Sequence, residues 1–257
     1  MQQQTFQQKT ALIIGGSSGM GKATAQLLLS YGARVIIASK SQESVTAAVK
    51  ELSAFGAVEG KTVHLANASN VEAFINELDT LGPIHYLVNA AGFFAPKPFL
   101  DSTPDDYDAF LDINRGFFFI TQAVARKMKA IGGGAIVNIG SYWATRAVKA
   151  TPTATYSMAK AGLQAFTQQV GMELAADHIR VNAIAPGVVE TGVLDELAGS
   201  PEDAKEVYKT LHAMHPLGRN GRAEEIAATI AFLLSDDAAW ITGAVWDVDG
   251  GMGAGRN

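Results

Sequence analysis

The chain has 257 residues, no cysteine and a formal net charge of −5. Disulfides, thiolate metal sites and cysteine nucleophiles are therefore excluded, and a nucleic-acid partner, which needs clustered Lys and Arg, is disfavoured. Its 48% apolar composition suffices for a large core, and α/β folds of this length commonly stay whole, so one domain over 1–257 is expected. The start, Met-Gln-Gln-Gln-Thr-Phe-Gln-Gln-Lys, lacks an apolar stretch of signal-peptide length, and no later run reaches the roughly 18 residues of a membrane span. No membrane partner and a cytoplasmic location are expected.

In chain order, Ala11-Leu-Ile-Ile14 is an apolar run ending in Gly15-Gly-Ser17-Ser18-Gly19-Met20-Gly21, after which Lys22 to Tyr31 shows helical spacing of Ala and Leu. A glycine turn between strand and helix lets backbone N–H groups approach a pyrophosphate at the positive helix end. Arg34-Val-Ile-Ile-Ala-Ser39 reads as a second strand, whose end is where an NAD site typically carries Asp or Glu for the ribose 2′-hydroxyl. Ser39, Lys40 and Ser41 stand there instead. They can donate to a 2′-phosphate that a carboxylate would repel, so NADP(H) is the expected cofactor.

Ser41 to Ala54 reads as a helix with Ser41 as N-cap, Thr62-Val-His-Leu-Ala66 as the third strand, and Tyr86-Leu-Val-Asn89 as the fourth. Thr103 to Ala130 is helical in spacing, opened by Thr103-Pro-Asp-Asp with acids where a helix N-terminus favours them. Asn114 is a poor residue for its middle. Arg126-Lys-Met-Lys129 most simply complements the negative end of that helix, with docking of an acidic carrier protein as the lesser alternative. Ile179 to Gly187 reads as the sixth strand and its turn.

Between these, Ser141 closes the apolar run Ala135 to Ile139, and Tyr156-Ser-Met-Ala-Lys160 opens a helix-like run. Tyr156 and Lys160 are four apart and so share a helix face. An adjacent ammonium favours the phenolate and lowers a phenol's pKa from about 10, which makes Tyr156 usable as a general acid or base. Ser141, at a strand tip, can hydrogen-bond a substrate oxygen. Thr151-Pro-Thr-Ala-Thr-Tyr-Ser-Met-Ala-Lys-Ala-Gly-Leu163, preceded by Gly134-Ala-Ile-Val-Asn-Ile-Gly-Ser141, closely resembles the active-site segment of the short-chain dehydrogenase/reductase family.

The resemblance covers nearly the whole chain. Gly15-x-x-x-Gly19-x-Gly21 matches the family's T-G-x-x-x-G-x-G, except that Ile14 replaces the threonine. Asn89-Ala90-Ala91-Gly92 resembles N-N-A-G, and Pro186-Gly187-Val188-Val189-Glu190-Thr191 matches P-G-x-x-x-T. Together with the alternating strand and helix patterns it implies an α/β Rossmann fold, a doubly wound, mostly parallel sheet with helices on both faces.

It also implies a set of cofactor contacts. Gly15, Ser17, Ser18, Gly19, Met20 and Gly21 would hold the phosphates, and Asn67 with Ala68 would meet the adenine, where Asp is usual. Ala90, Ala91 and Gly92 would pass the ribose while Asn89 braces the sheet, with Tyr156 and Lys160 at the nicotinamide ribose. Pro186, Gly187, Val189 and Thr191 would follow the nicotinamide. The implied catalytic set is Asn114, Ser141, Tyr156 and Lys160. In the family the matching Asn interrupts its helix and holds a water that links the Lys to solvent.

Ser141 and Tyr156 stand about two positions further apart than is usual in the family, so Tyr142, Trp143, Arg146 and Lys149 are expected to edge the substrate pocket. Phe93, Phe94, Trp143, Val188 and Leu194 are expected as its apolar wall. Residues 188–214 are expected to form a substrate lid that includes Val193, Leu197 and Met214. His212 and His215 are read as lid surface, and no metal site is expected. The expected activity is reversible NADPH-dependent reduction of a ketone or aldehyde, with a 3-oxoacyl substrate in view. A polyol or sugar dehydrogenase is the alternative, and a catalytically silent NADP-binding scaffold is the alternative of another class. The closing pattern Pro216 to Gly251 implies a homotetramer.

Overall fold

Thr10-Ala-Leu-Ile-Ile14 buries all five of its side chains, as a strand covered on both faces must. It is β1 of the computed structural model, which describes residues 6–194 and 198–255. The other strands are β2 (Arg34–Ser39), β3 (Val58–Thr62), β4 (Tyr86–Asn89), β5 (Gly134–Ile139), β6 (Ile179–Pro186), β7 (Val189–Glu190), β8 (Gly221–Arg222) and β9 (Val245–Val248). Seven of them form one sheet in the order β3-β2-β1-β4-β5-β6-β9, each neighbouring pair parallel. The order reverses between β1 and β4, the place where an open α/β sheet leaves a crevice at its strand C-termini. This is a single-domain Rossmann-like fold.

Successive residues of a strand point to opposite faces, so β1 feeds two cores. Ala11 and Ile13 pack with Leu28 of α1 (Gly19–Ser30), Leu52 of α2 (Gln42–Leu52) and Ile230 of α7 (Ala223–Leu234). Leu12 and Ile14 pack with Phe74 of α3 (Ala68–Glu77), Phe117 of α4 (Pro104–Ala130) and Leu163 of α5 (Ala154–Leu174). A further helix, α6 (Pro201–Leu211), belongs with β7 and β8 to the segment that closes over the crevice. Among the described residues no helix is long and apolar enough to cross a membrane.

Local chemistry sets several helix starts as expected. Ser41 accepts the Ser44 N–H at the head of α2, and Thr103 forms a reciprocal capping box with Asp106 at the head of α4. Two expectations fail. The third strand is Val58–Thr62, not Thr62–Ala66, because it pairs only with β2 at the sheet edge, where polar residues are tolerated. Lys61 bridges Glu59 and Glu77, and Gly60 lies so close to α2 that a Cβ would come within 2.5 Å of Val45. The apolar Val63 and Leu65 are buried in the connection to α3 instead. The helix α4 also runs unbroken through Asn114.

Beneath the crevice, β4 and β5 are held in register by a polar ladder. Asn89 and Asn138 stand opposite each other, both fully buried. The Asn89 amide donates to Thr121 Oγ1 of α4 (2.9 Å) and Asn138 Oδ1 (2.8 Å), and the Asn138 amide donates to Thr167 Oγ1 of α5 (2.8 Å). In a low-dielectric interior such bonds are stringent, and this set ties to the sheet the two helices that carry Asn114, Tyr156 and Lys160.

Candidate active site

The turn Gly15–Ser18 leaves β1 at the crevice and enters α1 with no side chain capping the helix, so the first N–H groups of α1 face outward at its positive end. The glycines are required sterically. A Cβ on Gly21 would lie 2.1 Å from the Gly15 carbonyl oxygen, and one on Gly15, at φ +88°, would lie 2.4 Å from the Ala91 nitrogen. Gly19 abuts Thr191, so the Pro186–Thr191 segment faces the glycine turn. This cradle fits a dinucleotide pyrophosphate.

At the end of β2, the Ser17 N–H donates to Ser39 Oγ (3.3 Å). Lys40 is exposed, makes no ion pair among the described residues, and borders a polar depression with Thr62, His64, Asn67 and Ser69. Ser41 and Asn67 both have capping duties, Asn67 accepting the Asn70 N–H (2.9 Å) and the Ser69 hydroxyl (2.8 Å) at the start of α3, where Ala68 is the first helical residue. Asn89 lies inside the sheet, whereas Ala90 and Gly92 border the crevice and the Ala91 backbone packs on Gly15.

Ser141, Tyr156 and Lys160 converge on one cavity of about 400 Å³, which Met20, Pro186, Gly187 and Val189 also border. Ser141 caps a single turn, accepting the Trp143 N–H (3.2 Å), and interacts with the Tyr156 hydroxyl. Lys160 Nζ donates to the Ile139 carbonyl (2.7 Å) at the tip of β5 and lies 5.9 Å from the centre of the Tyr156 ring. Burial lowers the Lys160 pKa to about 8. Burial also raises the Tyr156 pKa, with the Ser141 hydrogen bond opposing it. Burial is the larger of the two, so the Tyr156 pKa stands above the usual phenol value rather than below it as the spacing with Lys160 suggests, and the resting phenol is protonated. Asn114 stands behind the cavity, its amide donating to the Ala159 carbonyl (2.7 Å).

Phe93, Phe94, Trp143, Val188 and Leu194 all border the cavity. Of the residues expected at its edge, Tyr142, Arg146 and Lys149 do not. The Arg146 guanidinium turns to Asp247 of β9 (3.0 and 2.6 Å) and stacks over Tyr142, so the longer loop is clasped to the sheet. The 188–214 segment is no plain surface helix, since Leu194, Ala204 and Tyr208 form a buried cluster against Phe94, Val188 and Leu211. Leu197 lies outside the described residues. His215 is not lid surface: it is buried, its Nε2 accepts the Val188 N–H (3.1 Å), and it fits only because Gly187 and Gly250 have no side chains. Burial lowers its pKa, opposed by the Leu211 carbonyl and Asp249, with His212 adding to the lowering.

Sequence reasoning missed Tyr208, whose hydroxyl accepts the Thr191 N–H (3.4 Å). The signal was present as Ala204, Tyr208 and Leu211 at helical spacing after the Ser200 cap. The Arg126–Lys129 cluster lies at the end of α4, opposite the strand C-termini. Lys127 pairs with Asp79 (3.4 Å) and Lys129 with Asp177 (2.9 Å), so it gives carrier docking no support. Among the described residues no group of His, Asp and Glu is placed to hold a metal.

A family model described as enoyl-(acyl carrier protein) reductase matches residues 15–253. The chain is 36% identical over 248 residues to the 3-oxoacyl-(acyl-carrier-protein) reductase FabG of Thermotoga maritima, covering 95% of this chain and 97% of the relative. A short-chain type dehydrogenase/reductase from Mycobacterium ulcerans superposes with a TM-score of 0.87 at 30% identity over 98% of this chain and 92% of that one. The L-sorbose reductase of Gluconobacter frateurii, solved with NADPH and L-sorbose, superposes with a TM-score of 0.87 at 27% identity over 96% and 97% of the two chains.

Proposed function

The chain belongs to the short-chain dehydrogenase/reductase family, and on that premise we propose that it reduces a ketone or aldehyde to an alcohol with NADPH, reversibly. Membership makes it an oxidoreductase that binds a nicotinamide cofactor. The observation that carries the finer reading is the convergence of Ser141, Tyr156 and Lys160 on one cavity beside the glycine cradle. The 2′-phosphate preference rests on Ser39 and on the unpaired Lys40 at the end of β2, where no carboxylate stands to repel it.

Bound NADPH would supply a hydride to the carbonyl carbon as the carbon–oxygen π pair moves to oxygen. Ser141 holds that oxygen, and its hydroxyl is itself oriented by the Trp143 N–H. Tyr156, kept protonated by burial, gives the oxygen its proton. Lys160 holds its charge near the phenol and so favours the phenolate that this transfer leaves. Asn114 holds the Ala159 carbonyl, one residue before Lys160 on α5, and takes the family's role of linking Lys160 to solvent so that Lys160 and Tyr156 regain a proton. Val188, Leu194, Val207 and Leu211 border the cavity from this side and narrow its access to water.

The likeness to L-sorbose reductase supports a sugar reductase as a second reading. A homotetramer is supported by apolar side chains left in water: Trp240 is 99% and Met172 76% exposed, and Phe118 and Phe119 stand out from α4. Comparing NADPH and NADH consumption on a carbonyl panel tests the proposal. Turnover dependent on NADPH supports it, and an NADH preference or oxidation alone contradicts it.

A further inference from the structure

The cavity beyond Ser141 and Tyr156 is walled with hydrocarbon. Phe94 meets Tyr156 edge-on, with ring centres 5.3 Å apart, and leans on Trp143 at 5.9 Å. From the lid, α6 presents Val207 and Leu211, and the turn after it presents Met214. Among the described lining residues Lys160 carries the only charge, and none is Asp, Glu, Arg, His, Asn or Gln. Outside the Ser141–Tyr156 pair the polar side-chain groups are few: Tyr208, which accepts the Thr191 N–H, Thr191, which donates to the Val189 carbonyl, Thr151, and the buried indole N–H of Trp143.

Resting on the carbonyl-reductase reading, we propose that the substrate is an uncharged ketone with a bulky alicyclic or aryl body, rather than a polyol, a keto acid or a phosphorylated ketone. A sugar brings several hydroxyls, each of which leaves water on entry, and this wall returns few partners for them. A carboxylate or phosphate needs a facing cation. Lys160 is committed to the Ile139 carbonyl beneath the phenol, and no second cation borders the cavity among the described residues. The lid points the same way. Leu194, Ala204 and Tyr208 pack on Phe94, so closure joins apolar surface to apolar surface, and a hydrocarbon body extends that contact where a hydroxylated one interrupts it.

The test uses the purified full chain with NADPH and three neutral or ionic probes: 2-decalone, a ketohexose and levulinate. The expected kcat/KM for decalone exceeds that of the other two by about a hundredfold. Val207→Asn and Leu211→Asn each place an amide in the wall, and each is expected to raise KM for decalone roughly tenfold with NADPH affinity by fluorescence unchanged. Val207 is already 40% exposed, so its variant folds even where Leu211→Asn does not. Equal or better reduction of the ketohexose or levulinate would overturn the substrate class while leaving the reductase reading intact. An unchanged KM in folded Val207→Asn would overturn it as well. If NADPH binds and no probe is reduced, both the reductase reading and this inference fall.

Discussion

Replacing Lys160 by Met should make the cofactor-free protein more stable. Among the described residues Lys160 has no carboxylate to pair with, only the Ile139 carbonyl, and burial brings its pKa from the usual 10.5 to about 8. At pH 7 the group is still charged when folded, so the cost of burying that charge is carried in full. At about 1.36 kcal/mol per pKa unit, the drop from 10.5 to about 8 corresponds to about 3 kcal/mol. Lys160 borders a cavity open to some solvent, and its removal strands the Ile139 carbonyl, so a net gain of about 1–2 kcal/mol is the expectation for Lys160→Met. The sign has a pH signature. Between about 8 and 10.5 the folded wild type releases its proton before the unfolded chain does, wild-type stability rises, and the variant's advantage fades. Urea unfolding of both proteins at pH 7 and near pH 10, followed by circular dichroism, reads this directly. A variant no more stable at pH 7, or one whose advantage persists unchanged near pH 10, refutes the reasoning. Loss of NADPH affinity in the same variant would show a catalytic charge kept at the expense of stability.

Three other sites lend themselves to separate measurement. Ser39→Asp puts a carboxylate beside the Ser17 N–H and should shift the NADPH to NADH ratio of kcat/KM toward NADH by roughly tenfold, read by initial rates. His215 has a pKa lowered by burial, so the unfolded chain takes up a proton that the folded one resists, and stability should fall as pH drops through about 6.5. His215→Gln should flatten that fall in a melting-temperature series over pH, whereas an unchanged slope would assign it to other groups. Arg146→Ala frees the longer loop from Asp247 and should raise KM for the ketone about tenfold through Trp143, with NADPH affinity by fluorescence unaltered.

The parts of this molecule that were legible in the sequence are those dictated by local chemistry. The glycine turn, the Ser41 cap, the Thr103 box and the i, i+4 spacing of Tyr156 and Lys160 depend on near neighbours, and each forms as the pattern predicts. What was hidden depends on residues far along the chain. An edge strand such as Val58–Thr62 carries no apolar alternation, because its charges are met by Arg34 and Glu77 rather than by water alone. Arg146 reads as a pocket residue until β9 brings Asp247 beside it. His215 reads as surface because only the folded chain sets it between Gly187 and Gly250. The protonation of Tyr156 was hidden for the same reason. Spacing reveals the ammonium, but burial, which raises the Tyr156 pKa, is a property of the whole fold.

The most direct test of the account is NADPH consumption by the wild type and by Tyr156→Phe on the same ketone panel, with NADPH affinity measured alongside by fluorescence. The account predicts NADPH-dependent turnover in the wild type and a loss of about a hundredfold to ten-thousandfold in the variant at unchanged affinity. Turnover in Tyr156→Phe equal to that of the wild type would contradict the assignment of Tyr156 as the proton donor, and with it the mechanism built on this site.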